Sequence, residues 1–330
     1  MRVIWQQAVL AAAVTAILNG GAIAAVKIEK TTYSHYGNVM KLTNGTVDVM
    51  VTIDVGPRVI CYGFSGGTNI LGELPDTEVE KTEFGDWHPF GGHRLWAAPE
   101  AKPRSYWPDN SPIKVEKIND SAVKLTPPLE TGTNLQKEMT VTLAPSGTEV
   151  SVLHTITNKG IWPIELACWA LTIMNGGGTT IFPQEPFMPH GQVLLPARPM
   201  VLWNYTDMTD PRWTFGKKYV QLRTDASRDV AQKAGAAVKA GWAAYLRDGL
   251  FFVKRFPYQE GSNYPDYGCN FETFTKGAFM EIESVGPLMK LDPSGSATHV
   301  EKWSLFKDVK AGDSEESLDA AIAPLVAQTR

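Results

Sequence analysis

Apolar and polar residues alternate along much of this chain. Val47, Val49, Val51 and Ile53 are interleaved with Asp48, Met50, Thr52 and Asp54. A period of two with one apolar face is the pattern of a half-buried strand. Gly56-Pro57 breaks the run, Arg58 to Phe64 reads as the returning strand, and Gly66-Gly67 ends the hairpin. Further strands are predicted at Ile113 to Ile118, Ala122 to Thr126, Leu135 to Leu143 and Glu149 to Asn158. Turn signals such as Asn119-Asp120 and Pro145-Ser146-Gly147 separate them at the spacing of a sandwich or barrel. Ile164 to Met174 is apolar on both alternations and predicts a central strand buried on both faces.

Gly241 to Tyr258 reads as a hairpin around Arg247-Asp248-Gly249. Phe271 to Phe274, Ala278 to Val285 and His299 to Phe306 read as closing strands. Two helices are expected. Ala226 to Ala240 has helical composition, interrupted by Gly235, and Ser314 caps an amphipathic segment with Leu318, Ile322, Leu325 and Val326 on one side. Pro183 to Arg198 is proline-rich and without period, so it reads as a long ordered loop of the kind that often carries function. The fold class is all-β, two large packed antiparallel sheets with few helices.

Composition narrows the setting. Met1-Arg2, the apolar run Ala8 to Leu18 and Ala22-Ile23-Ala24 form an export signal, which leaves residues 25–330 as one mature domain in the periplasm or outside the cell. The apolar run is short for a membrane span, which favours a cleaved signal over a retained N-terminal anchor, and after cleavage no membrane contact is expected. A net charge of −4 argues against nucleic acid and against an anionic membrane surface. Cys61, Cys168 and Cys269 would allow one disulfide in an oxidising compartment, but Cys61 and Cys168 sit in apolar runs and read as buried small hydrophobes. No zinc-binding spacing appears, and no metal site is expected.

Two stretches carry candidate chemistry. The first is Gly91-Gly92-His93-Arg94-Leu95-Trp96-Ala97-Ala98-Pro99-Glu100. It reads as a glycine-hinged binding loop that offers a proton carrier, a fixed cation and a flat ring to a hydroxyl-rich ligand. The second is Phe279-Met280-Glu281-Ile282-Glu283-Ser284. In a strand, Glu281 and Glu283 share a face and raise each other's pKa. They are either an acid–base pair or two solvated glutamates. Trp96 and Trp107 lie among glycines and prolines, Trp169 projects from the central strand, and Asp266 and Tyr267 lie in a polar aromatic loop. All suit stacking on, or hydrogen bonding to, a sugar.

The Gly91–Trp96 stretch resembles the Gly-Gly turn of bacterial hexose-phosphate mutarotases. Glu281-Ile282-Glu283-Ser284 resembles the late strand of aldose 1-epimerases that carries the catalytic carboxylate, which matches Glu283 here. With Trp169 to Met174, Tyr264 to Asp266, Gly286-Pro287 and Glu301 to Trp303, the succession is similar to an uncharacterised bacterial family grouped with the galactose mutarotase-like proteins. That resemblance spans the mature chain. It implies a β-supersandwich and cofactor-free proton transfer on a sugar, with Glu283 as base tuned by Glu281. Arg94, Trp96, Trp107, Trp169, Asp266 and Tyr267 would hold the ligand.

The family's mid-chain histidine has no counterpart in Cys168-Trp169-Ala170-Leu171-Thr172. Either His93 supplies the acid from another direction, with His154 in reserve, or the epimerase chemistry is absent. The partner expected is a sugar or oligosaccharide, bound by a monomer or weak homodimer. The competing readings are a non-catalytic sugar-binding protein, and a polysaccharide lyase or glycoside-cleaving enzyme in which Arg94 neutralises a uronate.

Overall fold

The alternation becomes strands almost wherever it occurs. The structure, a computed structural model, describes residues 25–75 and 77–329; the segment read above as an export signal lies outside the described residues. Ala122–Thr126 and Leu135–Leu143 have the predicted bounds. Val150–Asn158, Phe279–Val285 and Ser296–Phe306 differ from expectation only at their ends. Ile164–Met174 is a central strand, buried on both faces from Leu166 onward. None of the helices among the described residues is long and apolar enough to cross a membrane.

The strands build an 11-stranded and a 10-stranded sheet. The middle of the first sheet runs His93–Ala98, Ile164–Met174, Phe279–Val285, Phe271–Lys276, Gln232–Ala236. The middle of the second runs Leu250–Arg255, Ser296–Phe306, Val150–Asn158, Leu135–Leu143. Each of these neighbours pairs antiparallel. One face of each sheet turns inward, and Leu95, Cys168, Met280 and Ile282 of the first sheet meet Val152, Ile156, Phe252 and Trp303 of the second in one core. The cysteines are all buried and unpaired. Ser314 caps the helix Glu315–Val326 by accepting the Ser317 amide at 3.2 Å. That helix buries Leu318, Ile322 and Val326 against Ile181, Trp242 and Phe251, on the outer face of the second sheet.

Two expectations are corrected. His93–Ala98 is a strand inside the first sheet, and all six of its residues are buried. The glycines before it form the turn that enters the sheet. A Cβ on Gly91 or Gly92 would stand 2.3 Å from a backbone oxygen, and both have positive φ, at 90° and 66°. Residues 226–240 contain no helix; Gln232–Ala236 is a fully buried strand paired with Phe271–Lys276. A Cβ on Gly235 would lie 2.5 Å from Cys269 Sγ, so the strand is closely packed there, and pairing overrides the helical propensity of its neighbours.

A polar seam crosses the core between the sheets. Lys254 and Glu301, both fully buried, meet at 2.8 Å. The Lys254 ammonium also donates to Thr172 Oγ1 at 2.6 Å and to the Ile282 carbonyl at 3.0 Å, both on the opposite sheet. Glu301 accepts from Ser284 Oγ at 2.5 Å and from Trp303 Nε1 at 2.8 Å. A buried ion pair is sustainable only with such extra hydrogen bonds, and removing one member leaves the other charge uncompensated. Lys254→Met is therefore expected to lower unfolding free energy by about 3–5 kcal/mol. Lys254→Met with Glu301→Gln should recover part of that loss. Urea denaturation of the two variants checks both.

Candidate active site

The register of the first sheet sets the floor of a cleft on its outer face. Arg94, Leu171, Glu283 and Glu272 lie side by side across four strands. The next row on that face is Ile173, Glu281, Phe274 and Lys233. A third pairs Trp96 with Trp169. Strand alternation puts these side chains on one face. The cleft encloses about 870 Å³, and Trp87, Trp96, Trp169 and Tyr106 wall it. Tyr106 reaches it from the loop after His93–Ala98, where its ring lies 4.9 Å from Trp96 and 5.4 Å from Trp87.

Two cations in this floor are each enclosed by aromatic faces and carboxylates. The Arg94 guanidinium lies 4.5 Å from the Trp96 ring and 5.3 Å from Trp87. It donates to Glu281 Oε1 at 3.1 Å. The Lys233 ammonium lies 4.8 Å from Trp169 and 4.5 Å from Trp203. It stands 2.7 Å from Glu272 and 3.4 Å from Glu283. Cation–π contact and charge pairing together keep desolvated cations ionised. Burial works against the Lys233 charge, but Glu272 and Glu283 outweigh it and hold its pKa well above the ordinary value.

The carboxylates differ. Glu281 lines the cleft and is 8% exposed. Desolvation raises its pKa to about 7; Arg94 opposes the rise and the Glu283 charge adds to it. Glu272 is fully buried and likewise raised, by desolvation first and by Glu283 in part. Glu283 is out of contact with solvent, and its Oε2 accepts from Trp169 Nε1 at 2.8 Å. The shared face predicted for Glu281 and Glu283 is present. Glu281 is the member that meets the cleft, whereas Glu283 holds Trp169 and Lys233 in place.

His93 does not join them. It is adjacent in sequence to Arg94 and therefore on the other face of the sheet, fully buried in the interlayer seam. Its Nδ1 lies 2.8 Å from Thr172 Oγ1 and its Nε2 lies 2.7 Å from His154 Nε2. The partners assign the protons. Thr172 Oγ1 accepts from Lys254 and gives its own proton to His93 Nδ1, the bare nitrogen of a neutral imidazole whose Nε2 carries the hydrogen. His154 Nδ1 donates to the His299 carbonyl at 2.9 Å, so His93 Nε2–H donates to His154 Nε2. His299 Nε2 donates to Ser284 Oγ at 2.6 Å, since the Ser284 hydroxyl is committed to Glu301. Burial holds all three imidazoles neutral. It depresses His154 and His299 to about 3 and His93 well below its usual value, with the neighbouring Lys254 charge contributing. His93, His154 and Glu301 come within metal-ligand reach of one another. In this arrangement neither nitrogen of His93 or of His154 is left for a metal.

The remaining candidates divide. Arg94, Trp96 and Trp169 line the cleft. Trp107 lines a different pocket with Phe84. Asp266 and Tyr267 form a turn with φ of 50° and 58°, outside the cleft lining, and Tyr267 is 95% exposed. Residues 184–199, His190 among them, lie outside the cleft lining as well. Arg94 is 3% exposed and already paired with Glu281, so it does not stand free to neutralise a uronate. Sequence reasoning missed Trp87, Lys233, Glu272 and Tyr205. The pairing of residues 232–236 with 271–276 would have found Lys233 and Glu272, but it is not visible in a lone sequence.

No protein-family model and no curated protein matches the chain. Solved structures do. A galactose mutarotase-like protein from Lactobacillus casei superposes with a TM-score of 0.53 at 12% identity, over 81% of this chain and 100% of that one. One from Clostridium acetobutylicum gives 0.53 at 12% identity, over 86% and 99%. The fold is galactose mutarotase-like. A TPR-domain-containing protein from Parabacteroides distasonis also matches, with a TM-score of 0.54 at 14% identity, over 84% of this chain; the chain spans about half of that protein, 49%. At these identities the likeness concerns the galactose mutarotase-like architecture alone.

The raised pKa of Glu281 has a thermodynamic consequence. A carboxyl whose folded pKa exceeds its unfolded one adds stability below the unfolded value, and that stability is lost as pH rises through the folded value. For Glu281 the window runs from its ordinary 4.5 to about 7. Glu281→Gln lacks this titration. Between pH 5 and pH 9 its unfolding free energy is expected to improve relative to the parent by about 2–3 kcal/mol. Urea denaturation across that range measures the difference, and a constant difference would contradict the shift.

Proposed function

We propose that the chain binds a sugar in the cleft of the first sheet and interconverts its anomers, with the Glu281 carboxyl as the proton carrier. The observation that carries the reading is a carboxyl at the cleft surface poised near pH 7, among aromatic walls suited to sugar faces. The mutarotase-like fold agrees with it.

Among the described residues no histidine lines the cleft. A neutral carboxyl can do both proton transfers, because it carries a donor and an acceptor oxygen side by side, as the anomeric carbon carries its hydroxyl and ring oxygens. One Glu281 oxygen takes the proton of the anomeric hydroxyl while the other gives its proton to the ring oxygen. The bond from C1 to the ring oxygen breaks, the aldehyde forms, C1 rotates, and the reverse transfers close the other anomer. The carboxyl ends as it began, and no cofactor enters. Arg94 fixes the carboxyl by its hydrogen bond to Oε1.

The cleft favours a neutral sugar. Arg94, Lys233 and Lys276 each face a carboxylate already, Lys276 at 3.6 Å from Asp229. That disfavours a lyase acting on uronates. Non-catalytic binding is the second reading, favoured by the absence of an imidazole from the cleft.

NMR exchange spectroscopy on neutral hexoses and pentoses decides between them. Anomer exchange is expected to be accelerated by the parent and to slow as pH rises through about 7, as the neutral carboxyl is lost. Glu281→Gln should reduce the acceleration by about 10²–10⁴-fold, the usual contribution of a positioned acid–base group. Parent-like exchange in Glu281→Gln would refute the mechanism. Sugar binding without acceleration by the parent would establish the non-catalytic reading.

A further inference from the structure

Trp107, expected in the cleft, lies elsewhere, and its surroundings form a site of their own. A second pocket of about 340 Å³ is lined by Phe84, Asp86, Trp107, Asn110, Glu130 and Lys137 among others. Small-ligand sites start at about 300 Å³. The pocket shares Trp96 with the cleft. Consecutive residues serve the two spaces, Tyr106 the cleft and Trp107 the pocket.

Its aromatic wall is built and fixed. Phe84 and Trp107 are both half-buried, with ring centroids 4.8 Å apart. They pack on the bare backbone of Gly132, where a Cβ would lie 2.3 Å from Phe84 and 2.7 Å from Trp107. No side chain larger than glycine leaves this pair its place.

Its charges cancel in place. Arg58 is held two-pronged by Asp109, with Nη2 to Oδ1 at 3.0 Å. Lys137 meets Glu130 at 2.6 Å, and their side chains are 7% and 6% exposed. Asp86 is bound by Lys81 at 2.7 Å. A pocket whose ions are all paired gains little from a charged ligand. It still presents carboxylate acceptors and amine and amide donors beside an aromatic face. That combination fits a neutral ring with one apolar face and a rim of hydroxyls.

We infer that this pocket is a second saccharide-binding site, formed by Trp107 and Phe84 and separate from the reactive cleft. The choice of a sugar as ligand rests on the reading of the cleft proposed above; the existence of the site rests on the pocket itself. Because Trp96 and the Tyr106–Trp107 pair border both spaces, the site is placed to hold a saccharide close to the cleft without taking part in proton transfer.

The test is calorimetric titration of the parent, Trp107→Ala, Trp107→Tyr and Leu129→Trp with neutral mono- and disaccharides, alongside anomer exchange. Leu129 lines the pocket at a position 38% exposed, so a larger ring there narrows the pocket without disturbing the core. Trp107→Ala and Leu129→Trp are expected to weaken one binding event by about ten-fold or more, and Trp107→Tyr by less than about three-fold. Anomer exchange should stay within about two-fold of the parent in all three. Identical isotherms for the parent and both blocking variants would overturn the site, as would a parent that binds none of the sugars. Loss of binding in Trp107→Tyr together with a lowered melting temperature would also overturn it, since Trp107 would then be only structural. Trp107-dependent binding without accelerated anomer exchange would retain this site and reject the mutarotase reading.

Discussion

A strand presents its two faces to two different environments, and the chemistry of this molecule is sorted by that alternation. In Phe279–Val285 the residues Glu281 and Glu283 belong to the cleft face, while Met280, Ile282 and Ser284 face the other sheet. In His93–Ala98 the same rule sends Arg94 and Trp96 to the cleft and His93 and Leu95 to the interior. One step of register would exchange the two sets completely. The interlayer packing and the seam around Lys254 and Glu301 hold the register, so the geometry of the cleft depends on contacts made behind it.

The two faces handle charge by different means. Between the sheets, a chain of hydrogen bonds running from Lys254 through Thr172 to His93 and His154 joins these buried groups without a charged imidazole. On the cleft side, Arg94 and Lys233 remain cationic against aromatic faces and carboxylates. There are more carboxylates than cations on that floor, and water is largely excluded. The surplus negative charge is relieved by raising carboxyl pKa values, and the raised Glu281 is the member of this buried floor group that lines the cleft.

Much of the fold was legible because strands with one wet face display their period. The runs at residues 47–53, 122–126 and 135–143 are of this kind, and the capped helix after Ser314 displays its own period. The common face of Glu281 and Glu283 followed from the same rule. The failures have a shared cause. His93–Ala98 is buried on both faces and carries polar residues on each, so no apolar alternation marks it as a strand, and its glycine turn reads as a loop. Gln232–Ala236 is rich in helix formers, and only its pairing partner reveals it as the strand that brings Lys233 to the cleft. His93 is beside Arg94 in sequence but not in space. Next to Arg94 in a strand, it had to point away from it.

If proton transfer belongs to the cleft face, the interior histidines are neutral structural groups at every working pH. The most direct test is imidazole nitrogen NMR on ¹⁵N-histidine-labelled protein, followed between pH 7.5 and pH 5.5 with and without a saturating sugar. His93, His154 and His299 are each expected to show one fixed neutral tautomer throughout, unchanged by ligand, since burial keeps all three far below their ordinary titration range. A His93 signal that titrates near 6.5, or that changes protonation when sugar is added, would instead return the acid role to His93.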